Sequence, residues 1–384
     1  MKIGIITFWS SQDNYGQILQ CYSLYKVLTE LGNETYIIKY IPAKVVKRTF
    51  IAKVKNIIKW LLLPQKQIIR LRQKKETEAR NRQREFDKFK EKHLHFTPKT
   101  YIGLQNLQQN APTADCYITG SDQVWAQPLS NKDNEAFFLN FGKSKSLRIS
   151  YAPSFSMKNY PDELEDLLTK QLSRFDAISV REPDGVNICK KVGYNATLVL
   201  DPTLLINPIF FKQMINNNKE IHKYAFIYSL NINSEDEFYW TKIHNELLKL
   251  KIIPIATTAS GYLPAKEILS GCKYIYPTIQ DWLTYIYYSE IIITASFHGI
   301  VFAILFHKNF IYIPLKGKNS QGNNRILSLL ESLQLSNCIY KETDNLDLQE
   351  LLNTKIDWDI VDNILNQKRL LSMNFLQNAL KVKK

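Results

Sequence analysis

Lys2-Ile3-Gly4-Ile5-Ile6-Thr7, then the polar residues 10–16, then Ile18, Leu19, Tyr22, Leu24, Tyr25, Leu28 and Leu31 form the opening whose reading decides the fold. The first six residues make a short apolar run rich in isoleucine, which reads as a buried strand. The apolar positions after Gly16 recur near helical spacing until Gly32, a natural residue just past a helix end. Residues 35–39 then resume a β-type run. Strand, helix and strand in this order predict a βαβ unit, and therefore a parallel sheet with the crossover helix on its face.

The alternation continues outward from this unit. Residues 116–119, 148–152, 177–180 and 197–200 read as strands, with helices predicted over 161–173 and 183–192. Asp201-Pro202-Thr203 reads as the exit from a first domain. The second half repeats the theme, with strands over 224–230, 252–257, 273–276, 291–294 and 310–313, and helices over 235–250, 280–289, 299–306 and 325–333. This predicts an α/β protein of two Rossmann-like, doubly wound domains facing each other, residues 1–203 and 204–345. Residues 346–384 have helical periodicity without strand signals and are expected to pack back as closing helices.

A chain of 384 residues, 45% hydrophobic and 12% aromatic, suits two domains and two cores, with a site in the cleft between them. No run reaches the roughly eighteen apolar residues a membrane span needs. The longest candidate, residues 57–63, is broken by Lys59 and ends at Pro64. The apolar stretch after Lys2 is too short for a secretory signal, so a cytoplasmic location is expected. The five cysteines are widely spaced, form no C-x-x-C pair and have no His at metal-ligand spacing, so they read as small buried apolar residues. The net charge of +14 is local: residues 44–99 hold eighteen Lys/Arg against five Asp/Glu, which is +13 of it. That stretch reads as an inserted helical hairpin or long exposed helix, a basic arm on an otherwise near-neutral body.

Ligands of open parallel sheets bind beyond the carboxyl ends of strands, so polar residues directly after strands matter most. Four places qualify: Asn14-Tyr15-Gly16-Gln17, Gly120-Ser121-Asp122-Gln123, Arg181-Glu182, and Ser296-Phe297-His298-Gly299. His298 falls in the first turn of a helix, where free N–H groups favour an anion and an imidazole can pass a proton; it equally suits a packed helix cap. Arg181 reads either as a fork for a carboxylate or phosphate or as a salt-bridge partner. Asp122 is a candidate general base, yet Gly-Ser-Asp also suits a tight turn. Asn14, Tyr15, Gly16, Ser121 and Gln123 are expected along the cleft. No dinucleotide glycine fingerprint, Walker motif or His-Glu-x-x-His occurs.

Seven stretches, in order along the chain, resemble the polysaccharide pyruvyl transferase family. They are residues 14–20 (NYGQILQ), 118–125 (ITGSDQVW), 150–155 (SYAPSF), 179–182 (SVRE), 200–205 (LDPTLL), 296–299 (SFHG) and 325–330 (RILSLL). The resemblance implies a GT-B-like fold and a transferase of surface-polysaccharide assembly. It also implies transfer of a pyruvyl group from phosphoenolpyruvate onto two hydroxyls of a sugar as a cyclic ketal, without metal or cofactor. It places the donor-binding Arg on Arg181 and the strand-to-helix His on His298, with Ser296 where relatives resemble Arg-x-His-Gly. Ser296, Gly299 and Arg325 are then expected around the donor, with Arg325 or a lysine of residues 316–318 supplying the charge that Ser296 lacks. His298 is expected to act as acid and Asp122 as base.

Two other classes of function fit the same features. A GT-B glycosyltransferase would hold the diphosphate of a nucleotide-sugar at the same helix end. A non-catalytic protein would use the basic arm; its few aromatics and its Gln/Glu interleaving make nucleic acid an unlikely partner. The arm together with Ile57, Ile58, Trp60 and residues 61–63 suits anionic lipid at the inner face of the membrane, where a lipid-linked sugar acceptor would be presented.

Overall fold

The computed structural model describes residues 1–43, 64–217, 223–230, 232, 234–259, 266–340, 350, 352 and 354–382. The first half supplies β1 (Lys2–Ile6), β2 (Glu34–Ile37), β3 (Tyr40–Ile41), β4 (Tyr101–Ile102), β5 (Cys116–Thr119), β6 (Leu147–Ser150), β7 (Ser179–Val180) and β8 (Thr197–Leu198). β2-β1-β5-β6 form one parallel sheet, while β3 pairs with β4 and β7 with β8. The second half supplies β9 (Tyr224–Ser229), β10 (Ile253–Thr258), β11 (Lys273–Tyr274), β12 (Ile291–Thr294) and β13 (Phe310–Tyr312). They form a second parallel sheet in the order β11-β10-β9-β12-β13. Strands such as β5 and β12 are buried along their whole length, as sheets covered on both faces require.

The helix Tyr15–Glu30 starts on the Asn14 carboxamide, which accepts from the Gln17 N–H at 3.1 Å, and ends before Gly32 at φ 82°. The predicted helix over 299–306 begins two residues earlier, at Phe297–Leu305, because the Ser296 hydroxyl caps it by accepting from the Gly299 N–H. All nine of its residues are buried, as an apolar run without a polar face must be. The predicted helix over 235–250 is shorter: Tyr239 takes a left-handed backbone at φ 51°, and the regular helix is Trp240–Lys249.

Each half has a core of its own, around Trp125 and Phe155 in the first and Ile227 and Trp240 in the second, and a further apolar cluster runs through both halves, joining Ile3, Tyr15 and Leu28 to Tyr228, Trp282 and Phe302. The closing helix Trp358–Leu380 lies back on the first half, where the Ser372 hydroxyl accepts from the Leu200 N–H (2.9 Å) and Arg369 donates to the Leu204 carbonyl (2.7 Å). The described part of the basic insertion is helical, as expected, and its described side chains over residues 71–79 are exposed, but its C-terminal part packs into the body. Residues 44–63, including the apolar patch read as lipid-facing, lie outside the described residues. The helices Pro64–Arg84 and Phe86–His93 follow, and their junction is not an exposed arm. Phe86 and Phe89 join the core, and buried Arg84 donates to the Tyr15 hydroxyl (3.2 Å) and the Thr258 carbonyl (2.9 Å), tying the two halves together. No helix among the described residues is long and apolar enough to cross a membrane.

Candidate active site

The carboxyl ends of β1, β5 and β12 deliver their polar residues to one place. The helices Tyr15–Glu30 and Phe297–Leu305 meet there across the two halves, and their contact is very close. A Cβ on Gly16 would lie 2.1 Å from His298 Nδ1 and 2.5 Å from its Cβ, so glycine is what lets the imidazole occupy its position. Gly16→Ala is accordingly expected to displace His298 and lower activity by about tenfold to a hundredfold, since misplacements near 1 Å carry losses of that order. A crystal structure and steady-state rates of the variant check this; an unmoved imidazole with full activity would refute it.

His298 is 6% exposed, and its Nε2 turns inward to Asp201 Oδ1 at 3.8 Å, with no hydrogen-bond partner. Asp201 is the hub of a buried polar network. Its Oδ1 accepts from the Thr203 N–H (3.0 Å) and hydroxyl (2.6 Å), and its Oδ2 accepts from the Ser121 hydroxyl (2.9 Å) and Arg181 Nη1 (2.7 Å). Burial alone would raise this carboxyl's pKa. The facing imidazole, Arg181 and Thr203 outweigh burial and hold it well below the usual carboxylate range. Arg181 Nη2 stands 3.5 Å from Asp122 Oδ1, and the guanidinium lies over the Phe297 ring at 4.5 Å. Asp122 itself has φ 70°, uncommon for a residue with a side chain.

A cavity of about 310 Å³ opens between the halves, bordered by Asn14, Gln17, Asp122, Gln123, His298 and Arg325. The Arg325 guanidinium lies 5.7 Å from the centre of the Phe297 ring, so that Phe297 is near both guanidinium groups. With its amide oxygen turned toward Arg325, Gln123 accepts from both Nη1 and Nη2 and from the Ser156 hydroxyl. Burial first, and then the charge of Arg181, pushes the Arg325 pKa down to about 10, which still leaves it cationic at neutral pH. The cavity thus offers an imidazole, a carboxylate, a guanidinium and the open N–H groups of a helix start. Among the described residues no group of three or more His, Cys, Asp or Glu is placed to hold a metal ion.

Asn14, Asp122, Gln123, Ser296, His298 and Arg325 therefore border one cavity, with Gly16 directly behind the imidazole. Other expected residues lie away from the cavity or are otherwise engaged. Tyr15 does not line the cleft: it is fully buried, stacked on Trp282 (5.2 Å) and donating to the Pro277 carbonyl (2.8 Å). Ser121 is likewise buried beneath the cavity, on Asp201. The Ser296 hydroxyl is occupied as a helix cap, and Gly299 packs on Thr294, where a Cβ would meet Oγ1 at 2.5 Å. Arg181 is not among the residues bordering the cavity; it stands behind Phe297, bound to Asp201. Lys316 sets its ammonium over the Tyr239 ring at 4.5 Å. The residue that the sequence does not single out is Asp201: Asp-Pro-Thr reads as a domain exit, and the one signal for Asp201 is its place in one of the seven motif stretches.

No curated protein is similar enough in sequence to match the chain. Among solved structures, UDP-N-acetylglucosamine 2-epimerase from Rickettsia bellii is similar at 8% identity and a TM-score of 0.55, over 99% of this chain and 96% of that one. The glycotransferase of kitacinnamycin is similar at 10% identity and a TM-score of 0.50, over 98% and 97%. Identities this low speak to fold alone, the GT-B-like pairing of two facing doubly wound domains. The sequence itself decides more: residues 14–317 match the family described as polysaccharide pyruvyl transferase, from the Asn14 helix cap through His298 and beyond β13. With most of its length in that match, this chain is an enzyme belonging to the polysaccharide pyruvyl transferase family.

Proposed function

We propose that the cavity takes phosphoenolpyruvate and that the enzyme transfers its pyruvyl group to two hydroxyls of one sugar, forming a cyclic ketal and releasing phosphate. The observation that carries this reading is the placement of His298, in the first turn of a nine-residue helix, on the same cavity as Arg325 and Asp122. The donor brings two to three negative charges. Arg325 and the free N–H groups at the start of Phe297–Leu305 offset them without a metal or cofactor, while Arg181 holds Asp201 and Asp122 in place from behind.

In the proposed chemistry His298 gives a proton to the methylene carbon, leaving C2 electrophilic. One sugar hydroxyl adds to C2 as Asp122 takes its proton. The C2–O bond to phosphate then breaks, the second hydroxyl closes the ring at C2, and its proton leaves with the phosphate or returns through Asp122 to His298. Atoms balance: donor plus diol gives ketal plus inorganic phosphate.

The test is phosphate release from phosphoenolpyruvate in the presence of candidate sugar diols, alongside thermal-shift screening against nucleotide-sugars. A rise in melting temperature with phosphoenolpyruvate and diol-dependent phosphate release are expected, since a ligand bound only by the folded state stabilises it. A rise with nucleotide-sugars alone would instead favour glycosyl transfer.

A further inference from the structure

Behind Phe297 lies a second cavity, of about 280 Å³, which shares Phe297 and Arg325 with the first. Its walls are mostly hydrocarbon, from Leu198, Val199, Leu200, Leu204, Leu329 and Leu371. The charged residues on it are three cations, Arg181, Arg325 and Lys368, against one carboxylate, Asp201. Arg181 has a side chain only 2% exposed; its Nη1 is spent on Asp201 and its Nη2 has only the 3.5 Å ion pair to Asp122 without a hydrogen bond, whereas Nε, like Arg325 Nε, has no hydrogen-bond partner. Buried donors left unmet are costly, and Nε with Nη2 is the guanidinium edge that pairs with two oxygens of an anion.

The apolar lining continues past the mouth. Leu198 is 45% and Leu371 65% exposed, and they adjoin other apolar residues rather than standing singly. An adjoining hollow of about 420 Å³ shares Leu371 and is bordered by Phe375, Ala379 and Val382. Leu371, Phe375 and Ala379 follow helical spacing along the closing helix and Val382 lies just past its end, so an apolar strip leads to the cavity.

We propose that this cavity and strip bind an amphiphilic phosphate, with the phosphate at Arg181 and Arg325 and a hydrocarbon chain along Leu371, Phe375 and Val382. Charge complementarity argues for the head and the apolar strip for the tail. A neutral chain leaves the guanidinium donors unmet, and inorganic phosphate leaves the leucines in water. The site does not depend on the pyruvyl chemistry, and its ligand touches the catalytic cavity only through the shared wall of Phe297 and Arg325.

Equilibrium binding to the full chain tests this, using n-dodecyl phosphate below its micelle concentration, with n-dodecanol, inorganic phosphate and phosphatidylglycerol vesicles as separate arms. Saturable binding of n-dodecyl phosphate is expected, with n-dodecanol and inorganic phosphate each weaker by about tenfold or more. Leu371→Asp, at an exposed position that the fold tolerates, and Lys368→Glu should each weaken it by about tenfold. Equal affinity for n-dodecanol, or unchanged affinity in Leu371→Asp, would overturn the proposal. So would binding to vesicles without binding of monomeric n-dodecyl phosphate, which would mark plain surface adsorption.

Discussion

Turnover of the His298→Ala variant is expected to fall by roughly two to four orders of magnitude, the usual contribution of a positioned proton donor. The geometry behind this number is local. The imidazole is held on one edge by Gly16 and faces an ionised carboxylate, Asp201, on the other. Among the described residues bordering the cavity, no other combines a titratable nitrogen with that placement; Arg325 stays protonated at neutral pH and Asp122 is cast as the base. The anion-holding groups, Arg325 and the helix start, remain in the variant, so the Michaelis constant for phosphoenolpyruvate should change far less than kcat. Steady-state phosphate release, read together with a thermal melt to verify folding, measures the effect. Near-normal turnover in a folded variant would remove His298 from the chemistry.

Arg181→Met should destabilise the fold by about 3–5 kcal/mol, because removing one partner of a buried ion pair strands the other charge. Asp201 is 1% exposed, and it would keep Ser121 and Thr203 as donors while losing its only guanidinium. The pH dependence follows from the sign of the shift. Asp201 has its folded pKa depressed below the ordinary value of 3.8, so its ionisation contributes stability that is present above that value and is lost as the pH falls toward the folded one. In Arg181→Met the carboxyl takes up a proton more readily. The deficit of the variant is therefore largest at neutral pH and narrows below about pH 4. Urea midpoints at several pH values check both statements; a pH-independent deficit would assign the loss to packing against Phe297.

Much of this architecture was legible in the residues. β5 and β12 fall where predicted, because Cys116–Thr119 and Ile291–Thr294 are short runs bounded by polar residues, as strands buried on both faces must be. The Asn14 cap, the Gly32 stop and the His298 turn follow from local rules, so a single stretch of chain suffices to see them. What stayed hidden is made through space. The partners of Asp201 are Ser121, Arg181 and His298, which are 80, 20 and 97 positions away, and nothing in Asp-Pro-Thr announces them. Arg84 and Phe86 sit in a stretch whose charge reads as solvated, yet the guanidinium ends on the Thr258 carbonyl of the other half. Tyr15 stands between two cleft residues, but helical geometry turns it to the opposite face, onto Trp282.

The most direct test of the central claim is a crystal structure of the enzyme soaked with phosphoenolpyruvate. The account predicts donor oxygens on the Arg325 guanidinium and on the first backbone N–H groups of Phe297–Leu305, with the methylene carbon facing His298. Donor bound elsewhere, or an unliganded cavity with Arg325 still on Gln123 at saturating phosphoenolpyruvate, would contradict it.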